Sequence, residues 1–124
     1  MNHETAPLVF ITGASSGIGQ ALALRFHRAG YRLALVARRT SEVKTWASAH
    51  GISADSYEIY SADVAVIDSI VAAGTECLAR QGLPDVVIAN AGQADSAPFA
   101  RTTLDQWNTM LAVNLTGVFL TFRE

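Results

Sequence analysis

Between a short apolar run and a helical pattern the chain places Gly13, Ala14, Ser15, Ser16, Gly17, Ile18 and Gly19. A strand that turns sharply into a helix collects free backbone N–H groups and the positive end of the helix dipole, roughly half a unit charge, at one spot. Phosphate binds well in such a place. Gly13 can take the conformation of the tight turn, Gly17 lets backbone and ligand approach, and Gly19 lets the helix pack near the strand. Ser15 and Ser16 add hydroxyl donors. The spacing is G-x-x-x-G-x-G and differs from the commoner G-x-G-x-x-G. A turn that is merely tight would also use glycine, but these glycines stand at the end of the first strand, where the phosphate mechanism requires them.

The elements around this stretch follow from periodicity. Residues 8–12 and 32–37 are apolar enough for strands buried on both faces. Between them Ile18, Leu22, Phe26 and Ala29 recur at helical spacing, and Gly30 sits where a helix end favours a left-handed residue. Residues 40–50 read as a weaker helix and 56–61 as a strand. A helix over 64–81 follows, with Ile67, Ile70, Val71 and Leu78 on one face before Gly82 and Pro84 end it. Residues 85–89 form a fourth strand, and a polar loop with Gly92 and Pro98 leads to Thr103, Leu104, Asp105 and Gln106, a capping-box spelling. The last helix runs from about residue 104 to near the chain end. Strands alternating with helices predict a parallel sheet covered on both faces.

The totals narrow the classes. With 124 residues, half of them apolar, the chain can build one core. Nine basic residues against 11 acidic ones give a net charge of -2, which argues against a nucleic-acid partner. No segment has the length and hydropathy of a membrane span, and no secretory leader is visible, so a cytoplasmic protein without a membrane partner is expected. The one cysteine, Cys77, reads as a small core residue and fits a reducing compartment. His3, His27 and His50 share no ligand spacing, so no metal site is expected. Trp46, Trp107 and the phenylalanines read as core or interface.

The run from Thr12 to Gly19 resembles the nucleotide-binding motif of the short-chain dehydrogenase/reductase family, and three further matches occur in family order. Asp63 and Val64 follow the third strand, where that family contacts adenine. Asn90, Ala91 and Gly92 follow the fourth, where it closes against the adenosine ribose. Val113, Asn114, Leu115, Thr116 and Gly117 lie in the next helix. The resemblance covers residues 8–120 and departs from the family at Ala89, where an asparagine is frequent. It implies an α/β fold of Rossmann type: a doubly wound parallel sheet in strand order 3-2-1-4, incomplete on its C-terminal side, with residues 1–124 forming one NAD(P)-binding domain. Asp63 also reads as a helix cap, a role compatible with adenine contact. Asn114, mid-helix, reads either as the family's catalytic asparagine or as a side chain bonded locally or to solvent.

In the family the end of the second strand separates the two nicotinamide cofactors, because a carboxylate there accepts from a ribose 2′-hydroxyl and a guanidinium pairs with a 2′-phosphate. Here Arg38 and Arg39 stand at that point, without an acid. They can make bidentate, charge-assisted contacts, so NADP(H) is expected ahead of NAD(H). The family's catalytic pair, Tyr followed four residues later by Lys, is missing: Tyr31, Tyr57 and Tyr60 precede Leu35, Ser61 and Val64, and the single lysine, Lys44, follows Thr40. The resemblance thus implies the N-terminal half of an oxidoreductase acting on a carbonyl or secondary alcohol. That enzyme would take a small-molecule substrate and form a homo-oligomer when complete, and this chain alone would be inactive. The alternative is a dinucleotide-binding module without catalysis. A third reading has the unfinished sheet edge recruiting another chain.

Overall fold

The structure, a computed structural model, describes residues 6–92 and 97–124. His3 lies outside the described residues. Alternate side chains of the strands are apolar in both directions, so the sheet they form must be covered twice. The strands are β1 (Leu8–Thr12), β2 (Arg32–Ala37), β3 (Tyr57–Ser61) and β4 (Val86–Ile88), all parallel, in the order β3-β2-β1-β4. Helices α1 (Gly17–Arg28), α2 (Thr40–Ala49) and α3 (Ile67–Arg80) connect them, and α4 (Leu104–Leu111) and α5 (Gly117–Arg123) follow β4. This is the doubly wound Rossmann-type sheet that the sequence predicts.

Period two divides the core. Leu8, Phe10, Ala34 and Val36 face Ile70, Ala73 and Cys77 of α3 and Leu120 of α5. Val9, Ile11, Leu33 and Leu35 face Ala23 of α1 and Val43, Trp46 and Ala47 of α2. Each fully buried Leu, Ile or Val contributes about 1.5–3 kcal/mol relative to exposure, so β1 and β2, buried on both faces, dominate the stability of the sheet. The start of β1 is clamped by Asp85, whose Oδ2 accepts from the Leu8 N–H at 2.8 Å while its own N–H donates to the Leu8 carbonyl at 2.8 Å.

Several sequence readings shift. On α1 the fully buried positions are Gly19 and Ala23; Ile18 is 70% exposed, and Ala29 is the exposed C-cap. Gly30, at φ +89°, ends α1 as expected, with the Tyr31 N–H bonded to the Phe26 carbonyl. Helix α3 starts at Ile67, three residues later than expected, because the Asp63 carboxylate accepts from the Ala65 N–H at 3.0 Å and folds the preceding residues into a turn. The face that α3 buries is Ile70, Ala73 and Cys77, while Ile67 and Leu78, about 90–110° round the helix from its centre, are largely exposed. The small side chains at Ala73 and Cys77 let the helix approach the sheet.

The capping box forms as read: Thr103 Oγ1 accepts from the Gln106 N–H at 3.1 Å, and Gln106 Oε1 accepts from the Thr103 N–H at 2.9 Å. The expected single last helix is interrupted. Residues Ala112–Thr116 form a π-helical turn in which the Gly117 N–H reaches the Ala112 carbonyl. The extra residue turns the buried face, so that α4 buries none of its residues whereas α5 buries Gly117, Leu120 and Thr121. Trp46 and Phe10 are core; Trp107, Phe99, Phe119 and Phe122 are exposed on this chain. Among the described residues no helix is long and apolar enough to cross a membrane.

Candidate functional site

The chain steps outward from β1 to β2 and β3 on one side and then returns across to β4 on the other side of β1, and a crevice opens at the carboxyl ends of the strands at such a reversal. Here it is a cleft of about 830 Å³. Gly13, Ser15, Ser16, Gly17 and Ile18 line one end, Arg38 and Arg39 the β2 side, Asp63 and Val64 the β3 side, and Asn90, Ala91 and Gly92 the β4 side. The structure thus gathers onto one surface twelve of the residues singled out from the sequence. Gly19 lies behind the wall, and Asn114 lies beside it. Val36, Ala37, Glu42, Ala62 and Val113 complete the lining.

The glycine turn is built from within. Gly13 has φ +67°, and a Cβ there would stand 2.8 Å from the Ala91 Cα. A Cβ on Gly19 would stand 2.1 Å from the Gly13 carbonyl oxygen. Both glycines are therefore demanded by packing. Gly17 differs: apart from its chain neighbours and its own helix turn, no described atom lies within 4 Å of a Cβ placed there, so the room it leaves belongs to the cleft. The Gly13 carbonyl accepts from the Ser16 hydroxyl at 2.8 Å, the Ser16 N–H at 3.2 Å and Asn90 Nδ2 at 3.2 Å. Ser16 Oγ in turn accepts from the Gly19 N–H at 3.2 Å and caps α1. The Ser16 hydroxyl proton, read from the sequence as a ligand donor, is thus directed inward. The N–H groups of Gly17 and Ile18 have no partner among the described residues and are available to an anion.

Thr12 is the residue whose role sequence reasoning missed. It is buried, 1% exposed, and its Oγ1 accepts from the N–H groups of Asn90 at 3.0 Å and Ala91 at 3.1 Å. A single hydroxyl at the end of an otherwise apolar strand therefore holds the loop after β4 against the glycine turn. Asn90 completes the tie, its amide donating to Gly13 and to Ser16 Oγ at 3.2 Å. The available signal was a lone threonine closing an apolar run; its partners are not legible locally.

Farther along the cleft, the Asp63 N–H donates to Ser69 Oγ at 2.9 Å, which with the Asp63 carboxylate fixes the turn that carries Val64. Gly117 lets α5 seat on this turn, since a Cβ there would be 2.8 Å from Val64 Cγ2. Asn114, on the π-helical turn, is exposed, and its Oδ1 lies 3.4 Å from where a Gly92 Cβ would stand. Arg39 pairs with Glu42 at 3.5 Å, both side chains being exposed. Among the described residues no group of three or more His, Cys, Asp or Glu could hold a metal ion.

Among the described residues, Tyr60 and Cys77 are perturbed, and neither lines the cleft. Tyr60 donates its hydroxyl proton to Gln81 Oε1 at 2.9 Å, and Gln81 Nε2 donates to the Leu33 carbonyl near the start of β2, at the opposite end of the sheet. Burial pushes the Tyr60 phenol well above its ordinary range, with Cys77 and Glu58 adding in the same direction. Burial also raises the Cys77 thiol.

A model of the family described as short chain dehydrogenase matches residues 7–124. D-threitol dehydrogenase of Mycolicibacterium smegmatis is 34% identical over 113 residues, covering 91% of this chain and 44% of the relative. An alcohol dehydrogenase of Thermococcus sibiricus, solved with 5-hydroxy-NADP, superposes with a TM-score of 0.86 at 32% identity, covering 95% of this chain and 51% of that one. A 3-ketoacyl-(acyl-carrier-protein) reductase of Brucella melitensis, complexed with NADH, shares the fold with a TM-score of 0.85 at 24% identity, over 94% of this chain and 47% of that one. The chain spans about half the length of the curated relatives it matches.

Proposed function

Because this chain belongs to the short chain dehydrogenase family, we propose that its cleft binds NADP(H), ahead of NAD(H). Residues 1–124 then form the NAD(P)-binding domain of an oxidoreductase that interconverts a carbonyl and a secondary alcohol on a small-molecule substrate. The observation that carries the reading is the pair of unpartnered N–H groups at Gly17 and Ile18, opening with the bare face of Gly17 onto a cleft that ends at Arg38 and Arg39. When bound, the nicotinamide supplies the hydride donor or acceptor of that reaction.

The chain's own residues divide the binding work. The backbone of Ser15, Gly17 and Ile18 receives the pyrophosphate, with Gly13, Ser16 and Gly19 holding the turn in shape. Arg38 and Arg39 pair with the 2′-phosphate, and Asp63 and Val64 receive the adenine. Because the Asn90 amide is engaged with Gly13 and Ser16, contact with the adenosine ribose falls to the segment it fixes, Ala91 and Gly92. Asn114 anchors the water of a proton relay.

The relay itself has no acid in residues 1–124. No tyrosine is followed four residues on by lysine, and Tyr60 is buried and bonded to Gln81. Positioned acid–base catalysis is typically worth about a hundredfold to ten-thousandfold, so residues 1–124 by themselves bind the dinucleotide without turning it over. A homo-oligomer is part of the proposal, supported by the exposed apolar Leu104, Trp107, Leu111, Leu115, Phe119 and Phe122. So is a cytoplasmic location, which the lone buried Cys77 fits.

Two experiments test this. Replacing Arg38 and Arg39 together by alanine is expected to weaken NADP⁺ more than NAD⁺ in calorimetric titrations, and equal losses would remove the cofactor argument. A protein of intact mass corresponding to residues 1–124 is expected to show no NADPH oxidation above background with ketones and aldehydes. Clear turnover would mean that the catalytic groups have been misplaced.

A further inference from the structure

Glu42 stands on the wall of the cleft beside the two arginines, and the reading above gives it no task. It lies in the first turn of α2, three residues after Arg39, so the second strand carries no acid at its end but the fold returns one to the same wall. Its Oε1 is 3.5 Å from Nη1 of Arg39, and the side chains of Arg39 and Glu42 are 78% and 51% exposed. Arg38, on the same wall, has no ion-pair partner among the described residues. The two arginines are therefore not equivalent. One is an uncompensated cation; the other is half of a neutral pair whose negative member faces the same space.

An ionised carboxylate can only accept hydrogen bonds. It suits a ribose 2′-hydroxyl and repels a 2′-phosphate. A pair this exposed contributes little to folding, so Arg39 can leave Glu42 for a phosphate at small cost. The Glu42 charge would then stay close to the phosphate that Arg39 had joined.

We propose that Glu42 sets the discrimination between the two nicotinamide dinucleotides, its carboxylate favouring the 2′-hydroxyl form and opposing the 2′-phosphate that Arg38 and Arg39 attract. The proposal rests on the dinucleotide reading of the cleft but not on which dinucleotide the wild-type protein prefers.

Glu42→Gln removes the charge and keeps the length and an acceptor for Arg39. The full-length wild type and variant are titrated calorimetrically with adenosine 2′,5′-bisphosphate, 5′-AMP, NADP⁺ and NAD⁺, at low salt and at about 0.5 M salt, where surface charges a few ångströms apart are strongly screened. A unit charge and a phosphate dianion several ångströms apart in a largely aqueous setting interact enough for a change of about two- to fivefold at low salt. The variant is expected to bind the two 2′-phosphorylated ligands tighter by that factor, to bind 5′-AMP and NAD⁺ equally or more weakly, and to lose the difference at high salt. A merely structural role would move all four ligands together, and that result would overturn the proposal. So would unchanged or weaker binding of the 2′-phosphorylated pair. If the wild type prefers NAD⁺ while the substitution still raises the ratio of NADP⁺ to NAD⁺ affinity, the NADP(H) reading fails and the role of Glu42 stands. If the double arginine variant loses NADP⁺ selectively while Glu42→Gln changes nothing, the outcome is the reverse. A folded protein that binds none of the four overturns both.

Discussion

Thr12→Val removes one oxygen from the middle of the molecule and nearly nothing else. The two side chains have the same shape, and Thr12 is fully buried, so no cavity is made. What is lost is the acceptor for two backbone N–H groups, those of Asn90 and Ala91 at 3.0 and 3.1 Å. A buried donor left without a partner costs about 1–3 kcal/mol. Asn90 and Ala91 are half-buried, which lets water recover part of that, so the pair together is expected to cost about 2–3 kcal/mol. For a chain of 124 residues each kcal/mol corresponds to about 4 °C, giving a fall in Tm of about 8–12 °C. Urea denaturation and a thermal melt measure both numbers. Thr12→Ser is the control: it keeps the hydroxyl, loses one methyl and is expected to cost about 1 kcal/mol. Because the same two bonds hold the loop after β4 against the glycine turn, the valine variant is also expected to bind dinucleotide more weakly than the serine variant. A valine variant within about 0.5 kcal/mol of the wild type would show that these N–H groups find other partners, and the account of the tie would be wrong.

Gly19→Ala is expected to destabilise by about 3 kcal/mol or more, since the new Cβ would sit 2.1 Å from a carbonyl that accepts three hydrogen bonds. Gly17→Ala, where a Cβ meets open space, is expected to leave stability within about 0.5 kcal/mol while weakening nucleotide binding. Equal melting temperatures for the two variants would contradict the packing argument. Stability should also fall in alkali. Burial raises the folded-state pKa of Tyr60 and Cys77 above their ordinary values near 10 and 9, so the unfolded chain releases these protons first. Their contribution is complete below about pH 9 and declines as pH rises through the folded values. The urea midpoint at about pH 10.5 is expected below that at about pH 8, with Tyr60→Phe flattening the slope, and a midpoint independent of pH would refute it.

What the residues determined alone are the features that depend on near neighbours. Apolar runs at 8–12 and 32–37 had to be doubly buried strands, the Thr103 and Gln106 pair had to cap a helix, and the glycines had to mark a strand turning into an α-helix. Alternation of strand and helix then sufficed for a parallel, doubly wound sheet, because β-strands that point the same way need a crossover and a helix is the one available. The faces of helices were legible only in part. Ile67 and Leu78 are larger than Ala73 and Cys77 and look like the better core, yet the distance between α3 and the sheet rewards the small pair, and that distance belongs to the packed molecule.

The site divides along the same line. Sequence position placed twelve residues on one cleft, since the ends of parallel strands converge once the strand order is known. It could not say that the Thr12 hydroxyl would meet residues 78 and 79 positions away, or that the Asn90 amide would turn to Gly13 and Ser16. Each of these is a hydrogen bond good only over about 3 Å. Contacts of that range between distant parts of the chain exist only after the strands have chosen their neighbours, so the tertiary structure alone decides them.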